Sequence, residues 1–231
     1  MQKAAALASA LNLPGFTSIE FGVAGGNGLV AMEQHAARLS SEMGLTIDVV
    51  GFDLAVGLPP PAGYKDLNYR WSEGNFAMDE QALRNRLSTA QLILGDVKDT
   101  VPDYRPSLPI GFISFDLDYY SSTLAGLQVV EGSHWDTWLP RINAYFDDLR
   151  TIEWVGERQA ITEWNARHDD RKVGQVKGIW DSVFSGPAWA DKMFEIHLFE
   201  HPLYGKEVGS ADWVGSFAER ARSKPTLRLR P

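Results

Sequence analysis

Gly111-Phe112-Ile113-Ser114-Phe115-Asp116-Leu117-Asp118 is an apolar run that ends in two acids. A second run, Ile142-Asn143-Ala144-Tyr145-Phe146-Asp147-Asp148, ends the same way, with Asp147 placed 31 residues after Asp116. Runs this rich in aromatic and aliphatic residues fit strands covered on both faces. Three similar runs precede them, at Ser18–Val23, Thr46–Asp53 and Leu92–Gly95. Helical spacing fills the intervals at Leu29–Met43, Asp79–Ala90 and Ser121–Gln128. This alternation predicts an α/β fold, a parallel sheet with helices on both faces. A longer helix is expected over Glu153–Arg167, then strands at Val173–Ile179 and Met193–Glu200, whose spacing allows an antiparallel closing pair. The stiff stretch Leu58-Pro59-Pro60-Pro61-Ala62-Gly63 leaves the second strand as a loop, too short for a domain linker.

The chain has 231 residues, 22 Lys and Arg, 30 Asp and Glu, a formal net charge of −8 and no cysteine. That length suits one domain, expected over residues 1–205. The absence of cysteine excludes disulfides, thiolate metal sites and Cys nucleophiles, and fits a cytoplasmic location. No run approaches the ~18 apolar residues of a membrane span, and the N-terminal stretch reads as a helix, not a secretory signal. Residues 206–231 carry six Lys and Arg against three Asp and Glu, a net +3 that leaves −11 on residues 1–205. So acidic a body repels phosphate backbones, which argues against nucleic acid as a partner. The basic tail is expected to be solvated or used in assembly, which leaves a homo-oligomer open.

The first strand ends in Glu20-Phe21-Gly22-Val23-Ala24-Gly25-Gly26-Asn27-Gly28. Glycines there permit a sharp turn and close approach of a ligand to the backbone, and the following helix start offers free amides. Gly26-Asn27-Gly28-Leu29-Val30-Ala31 matches G-x-G-x-x-A, but several residues later than a dinucleotide fingerprint requires. Asp53, at the end of the second strand, is placed to accept hydrogen bonds from ribose hydroxyls. Asp96 follows the third strand, either toward the same ligand or as a helix cap. If the strands ending in Asp116 and Asp147 are neighbours, Asp116, Asp118, Asp147 and Asp148 converge where open α/β sheets bind ligands. Clustered carboxylates raise one another's pKa unless a cation neutralises them, and hard oxygen donors select Mg²⁺, Mn²⁺ or Ca²⁺. Arg141 and Arg150 are alternative partners for some of these acids. No histidine has metal-site spacing; His168 and His201 read as surface and His197 as core. No G-x-S-x-G elbow supports an acyl-transfer triad. Trp71 and Phe76 are candidate pocket walls.

Several strings fall in a familiar order: Glu20-x-Gly22, Gly51-Phe52-Asp53 with Gly57-Leu58-Pro59, Leu94-Gly95-Asp96, Phe115-Asp116-Leu117-Asp118-Tyr119-Tyr120-Ser121-Ser122-Thr123, and Phe146-Asp147-Asp148. Over residues 15–150 the set resembles the class I S-adenosylmethionine (SAM) methyltransferases. More narrowly it is similar to the metal-dependent, macrocin-type O-methyltransferases that act on natural-product sugars. The resemblance implies a Rossmann-like, mostly parallel seven-stranded sheet with an antiparallel closing strand. It implies SAM over Glu20, Gly22, Gly25 and Gly26, with the ribose on Asp53 and the adenine near Asp96. It implies Mg²⁺ or Mn²⁺ on Asp116, Asp147 and Asp148, a proton taken by Asp116 or Asp118, and a small-molecule hydroxyl acceptor, sugar, phenol or diol. Two features depart from the pattern. Leu149-Arg150 follow the Asp pair where some relatives carry a His base, and the N-terminal extension is short.

Other classes fit less well. Asp116-x-Asp118 imitates a haloacid-dehalogenase-type phosphohydrolase, but Tyr119-Tyr120 replaces Gly-Thr and three strands precede the motif. A nicotinamide-dependent dehydrogenase leaves the acid cluster unexplained. A non-catalytic SAM-binding relative would tolerate loss of the cluster.

Overall fold

The computed structural model describes residues 1–149, 153–176, 190–206 and 208. Seven strands form one sheet: β1 Gly15–Phe21, β2 Thr46–Asp53, β3 Gln91–Leu94, β4 Ile110–Phe115, β5 Trp138–Phe146, β6 Arg171–Gln175 and β7 Met193–Leu198. Their order is β3-β2-β1-β4-β5-β7-β6. β1 to β5 run parallel, and β7 is antiparallel to both β5 and β6. The expected antiparallel closing pair is therefore present. All seven residues of the central β1 are buried.

The register is held by aromatic rings. Phe21 stands opposite Phe52 on one side and Phe115 on the other, and Phe115 stands opposite Phe146. Ring centroids along this row are 5.0, 5.3 and 4.5 Å apart, and Phe194 of β7 joins Phe146 at 5.2 Å. Cross-strand aromatic pairs add attraction beyond the area they bury. A one-residue slip would turn every ring to the opposite face, so the row pins the register. Each ring is the last or penultimate residue of its strand, so the next residues stand level: Gly22, Asp53, Asp116 and Asp147. Backbone bonds continue one step further, with Gly22 N donating to Phe52 O (2.9 Å), Asp116 N to Phe21 O (2.9 Å) and Asp147 N to Phe115 O (3.0 Å).

Among the described residues six α-helices cover the two faces: α1 Gln2–Ala10, α2 Asn27–Met43, α3 Glu80–Arg84, α4 Val97–Asp103, α5 Tyr120–Leu127 and α6 Gly156–Arg167. The phenylalanine face packs against α4, α5 and α6 through Val97, Val101, Leu127, Ile161 and Trp164. The opposite face packs against α1 and α2 through Leu7, Leu29, Met32 and Leu39.

The expected elements recur with shifted bounds: the first strand is Gly15–Phe21 where Ser18–Val23 is expected, the helix expected from Glu153 starts at Gly156, and three further differences have visible causes. The helix expected over Asp79–Ala90 ends at Arg84. The amides of Ser88, Thr89 and Ala90 donate to the buried Glu33 carboxylate at 2.5–3.1 Å, and so leave the helical pattern. The fifth strand begins at Trp138, four residues before Ile142, with Pro140 inside it. Pro140 lies outside the β7 pairing, which spans Arg141–Tyr145, so its missing N–H removes no ladder bond there. The sixth strand covers Arg171–Gln175, and residues 177–179 of the expected span lie outside the described residues.

Replacing Phe115 with Ala removes the ring at the middle of the row. A cost of about 3–5 kcal/mol is expected, a fall in thermal midpoint of roughly 6–20 °C for a domain of this size. Calorimetric melting of Phe115→Ala and Phe115→Leu checks this, with the Leu variant falling less.

Candidate functional site

A cleft of about 310 Å³ opens at the carboxyl ends of β1, β2, β4 and β5. It spans the point where strand order reverses between β1 and β4, the usual ligand crevice of open α/β sheets. Gly22, Asp53 and Asp96 line one side, and Asp116, Asp118, Asp147 and Asp148 the other. The segment after β2 walls it with Leu58, Pro59, Arg70, Trp71 and Phe76. Trp71 meets Phe76 edge-on at 5.2 Å, and the Arg70 guanidinium lies 4.7 Å over the Trp71 ring.

The glycines of the turn do different jobs. Gly22 has φ +80, and a Cβ there would lie 1.8 Å from the Asp116 carbonyl oxygen, so Gly22 serves the approach of β1 to β4. Gly26, φ +77, starts α2, and a Cβ would strike the Leu83 side chain at 2.1 Å. Only Gly25 of these three faces open space, with nothing within 4 Å of a Cβ. Gly28 makes room for Glu20, whose Oε1 would be 1.9 Å from a Cβ at that position. Glu20 is buried, and its Oε2 has no hydrogen-bond partner. Burial, then the charges of Asp116 and Asp53, push its carboxyl up to about 8.

Asp53 organises the turn from β2. Its Oδ2 accepts from Val23 N and Ala24 N at 2.8 Å each, and its Oδ1 from Ala55 N at 2.6 Å. Ala24 and Ala55 have φ 44 and 67, so this carboxylate holds two alanines in the left-handed region. Three of its roughly four acceptor sites are used, which leaves about one toward the cleft. Asp96 lines the cleft and caps α4, accepting from Lys98 N at 2.9 Å and pairing with Lys98 Nζ at 3.0 Å. The helix-cap reading of Asp96 is thus observed, and its place in the lining leaves it beside the cleft. Arg86 braces the turn from outside, donating to Gly25 O and Asn27 Oδ1.

On the opposite side, Asp116, Asp147 and Asp148 each offer a carboxylate oxygen within 4.8 Å of the others. Asp116 is open to the cleft yet walled by protein. That desolvation, then the charges of Asp147 and Asp148, push its carboxyl up to about 7, against the pull of Lys192. Asp118 is buried and hydrogen-bonded to Asp148. Burial, that bond and the neighbouring charges raise its carboxyl well above the usual range, with Arg70 opposing. Asp118 has φ 58 in a tight turn that Tyr119 N closes on Leu117 O at 2.5 Å. Asp147 behaves differently. Burial would raise it, but its Oδ1 accepts from Lys192 Nζ (2.7 Å) and Tyr145 OH (2.6 Å), and the net effect is downward.

The carboxylates expected to converge do so, and Trp71 and Phe76 stand in the wall as expected. Arg141 is not their partner: it donates to Tyr204 O and lies over the Tyr204 ring. Arg150 lies outside the described residues. His201 is buried, not on the surface. Its Nε2 meets Trp135 O and Trp138 O, and its Nδ1 accepts from Leu203 N. His168 is half-buried, stacked near Trp164. His197 is only half-buried in β7 and bonds to Tyr204 OH, so it is not a core group. Sequence reasoning missed Arg70, Lys192 and the buried Glu157, which carry no motif of their own.

Strand order, antiparallel β7 and a cleft at the switch point define the class I methyltransferase fold. The chain is similar to the calicheamicin methyltransferase CalS11, with TM-score 0.60 and 24% identity over 85% of this chain and 77% of that one. A second structure of CalS11, described as a TDP-rhamnose 3'-O-methyltransferase of calicheamicin biosynthesis, matches with TM-score 0.51 and 22% identity over 85% of this chain and 77% of that one. The O-methyltransferase NovP matches with TM-score 0.58 and 18% identity over 85% of this chain and 76% of that one. No protein-family model matches the sequence, and no curated protein matches it significantly.

The roles of Gly22 and Gly25 separate in stability. Gly22→Ala combines a left-handed φ with backbone overlap and is expected to cost about 3 kcal/mol or more. Gly25→Ala is expected to leave the melting temperature within about 1 °C, since surface changes without new contacts stay near neutral. Thermal melts of the two variants check the contrast.

Proposed function

We propose that the chain is a SAM-dependent O-methyltransferase that holds a divalent cation, Mg²⁺ or Mn²⁺, and methylates a hydroxyl of a small molecule. The observation that carries this is the meeting of Asp116, Asp147 and Asp148 in the cleft of a class I methyltransferase fold. Their donor set is all carboxylate oxygen, which fits a hard cation. The orphaned Glu20 Oε2 beneath the glycine turn supports a polar ligand there; Gly22, Asp53 and Asp96 line the cleft, whereas Glu20, Gly25 and Gly26 do not. When bound, SAM supplies an electrophilic methyl group, and the cation supplies Lewis-acid stabilisation of a deprotonated hydroxyl.

Glu20 and the remaining acceptor site of Asp53 would hold donors of the cofactor, with Gly22, Gly25 and Gly26 shaping its seat and Asp96 at its far end. Asp116, Asp147 and Asp148 would hold the cation. Tyr145 and Lys192 both occupy Oδ1 of Asp147, which leaves its other oxygen for that purpose. Asp118, with Asp116 as the alternative, is the carboxylate that takes the hydroxyl proton. Trp71, Phe76, Leu58 and Pro59 exclude water and orient the acceptor, whose class is a sugar, phenol or diol. In this reading residues 1–205 are one catalytic domain, acting in the cytoplasm on a small molecule rather than on nucleic acid or a membrane surface. Residues 206–231 act outside catalysis, in solvent or in self-assembly.

Transfer of labelled methyl from SAM to a panel of hydroxyl acceptors tests the reaction. Asp147→Ala is expected to abolish cation-dependent transfer while leaving affinity for S-adenosylhomocysteine within a few-fold. Loss of both together contradicts the assignment. The cation also carries a pH signature. Asp116 has a raised carboxyl pKa in the folded protein, so below about pH 7 a proton must leave before the cation binds. Stabilisation by Mg²⁺ is therefore small at low pH and grows as pH rises through about 7. Melts at a fixed Mg²⁺ concentration are expected to show a larger upward shift at about pH 8 than at about pH 6. An equal shift at both contradicts binding at this cluster.

A further inference from the structure

The backbone ladder between β4 and β5 ends where Asp147 N meets Phe115 O. Beyond that bond the two acid-bearing loops, Asp116–Asp118 and Asp147–Leu149, have no backbone bond to each other among the described residues. They are joined by the Asp118–Asp148 side-chain hydrogen bond and by the first turn of α6. Glu157, with no exposed surface, accepts from Leu117 N through Oε1 (3.3 Å) and from Asp148 N through Oε2 (3.0 Å). Gly156 before it has φ 59, and a Cβ there would lie 3.5 Å from the Asp118 carbonyl oxygen and 3.1 Å from Leu67. Arg158 after it donates to Leu149 O, with NH2 at 2.9 Å and Nε at 3.3 Å. Of these three consecutive residues Glu157 bonds to both loops, while Gly156 lies beside the first and Arg158 bonds to the second.

A buried carboxyl beside Asp116 and Asp148 is a poor choice for stability alone, since it adds acid to an acidic neighbourhood. What it provides is two acceptor oxygens that diverge to amides on two different strand ends. A neutral apolar residue would leave both amides buried and unpaired. We propose that Gly156-Glu157-Arg158 is a clamp that sets the spacing of the two acid-bearing loops, with Glu157 the positioning residue for Asp116, Asp147 and Asp148. The role is indirect: Glu157 acts through the backbone that carries the carboxylates. It rests on the cation site proposed above.

The full chain carrying Glu157→Ala or Glu157→Gln is titrated with Mg²⁺ in the presence of S-adenosylhomocysteine, and with S-adenosylhomocysteine in the absence of Mg²⁺. Amide exchange is followed at Leu117 and Asp148. Groups that orient metal ligands typically govern roughly 10–100-fold of metal affinity. Glu157→Ala is expected to weaken Mg²⁺ by that factor, to leave S-adenosylhomocysteine within about twofold, and to speed exchange at both amides. Glu157→Gln keeps one acceptor oxygen and is expected to fall between, and it carries the test if the Ala variant does not fold. Unchanged Mg²⁺ affinity, or equal loss of both ligands, overturns the clamp. If the unmodified protein binds S-adenosylhomocysteine but not Mg²⁺, the cation reading fails by itself. The clamp is then decided by exchange: faster exchange confined to the two loops upholds it, and unchanged protection at Leu117 and Asp148 overturns it.

Discussion

A row of phenylalanines, Phe52–Phe21–Phe115–Phe146, sets the level at which four parallel strands end. Side chains in a strand alternate between faces, so fixing one ring per strand fixes the residue that follows it. The rings point into the core under α4, α5 and α6. The next residues then stand at one height at the sheet's edge: Asp53, Gly22, Asp116 and Asp147. Packing on one face of the sheet thus determines which chemical groups meet in the cleft.

That arrangement has an electrostatic cost, because it gathers carboxylates that repel one another in a partly desolvated space. The fold meets the cost unevenly. Asp53 is surrounded by backbone amides, and Asp147 has Lys192 and Tyr145. Asp116, Asp118 and Glu20 have no comparable compensation, and their carboxyls are displaced upward. Asp116 and Asp118, displaced in this way in the lining of the cleft, mark where a positive partner has its largest effect. In the proposed function a divalent cation answers the Asp116 side, and the polar end of the cofactor answers Glu20.

Much of this is legible in the chain because each of the five parallel strands β1 to β5 is a dense run closed by an acid or a glycine. The second strand expected from the sequence, Thr46–Asp53, has the observed bounds, since its acid and the following loop give clear punctuation. Pro140 hid the start of the fifth strand, because a proline in a run speaks against a central strand unless one knows which neighbour fails to pair there. The helix after the proline loop was overlong because its periodicity continues past Arg84. Nothing local shows that Glu33, some fifty residues earlier, captures the amides of Ser88–Ala90. The same limit applies in the site. Asp116, Asp118, Asp147 and Asp148 sit in motifs at strand ends, whereas Glu157 and Lys192 are single charged residues that gain meaning only through tertiary contact. The glycine turn also divided its roles in a way spacing alone does not show: Gly22 serves the approach of two strands, and Gly25 alone leaves open space.

The central claim is that this cleft binds the methyl-donor cofactor and a cation together. Calorimetric titration of S-adenosylhomocysteine with and without Mg²⁺ tests it most directly. The account predicts micromolar binding that depends measurably on Mg²⁺. No binding under either condition would contradict it.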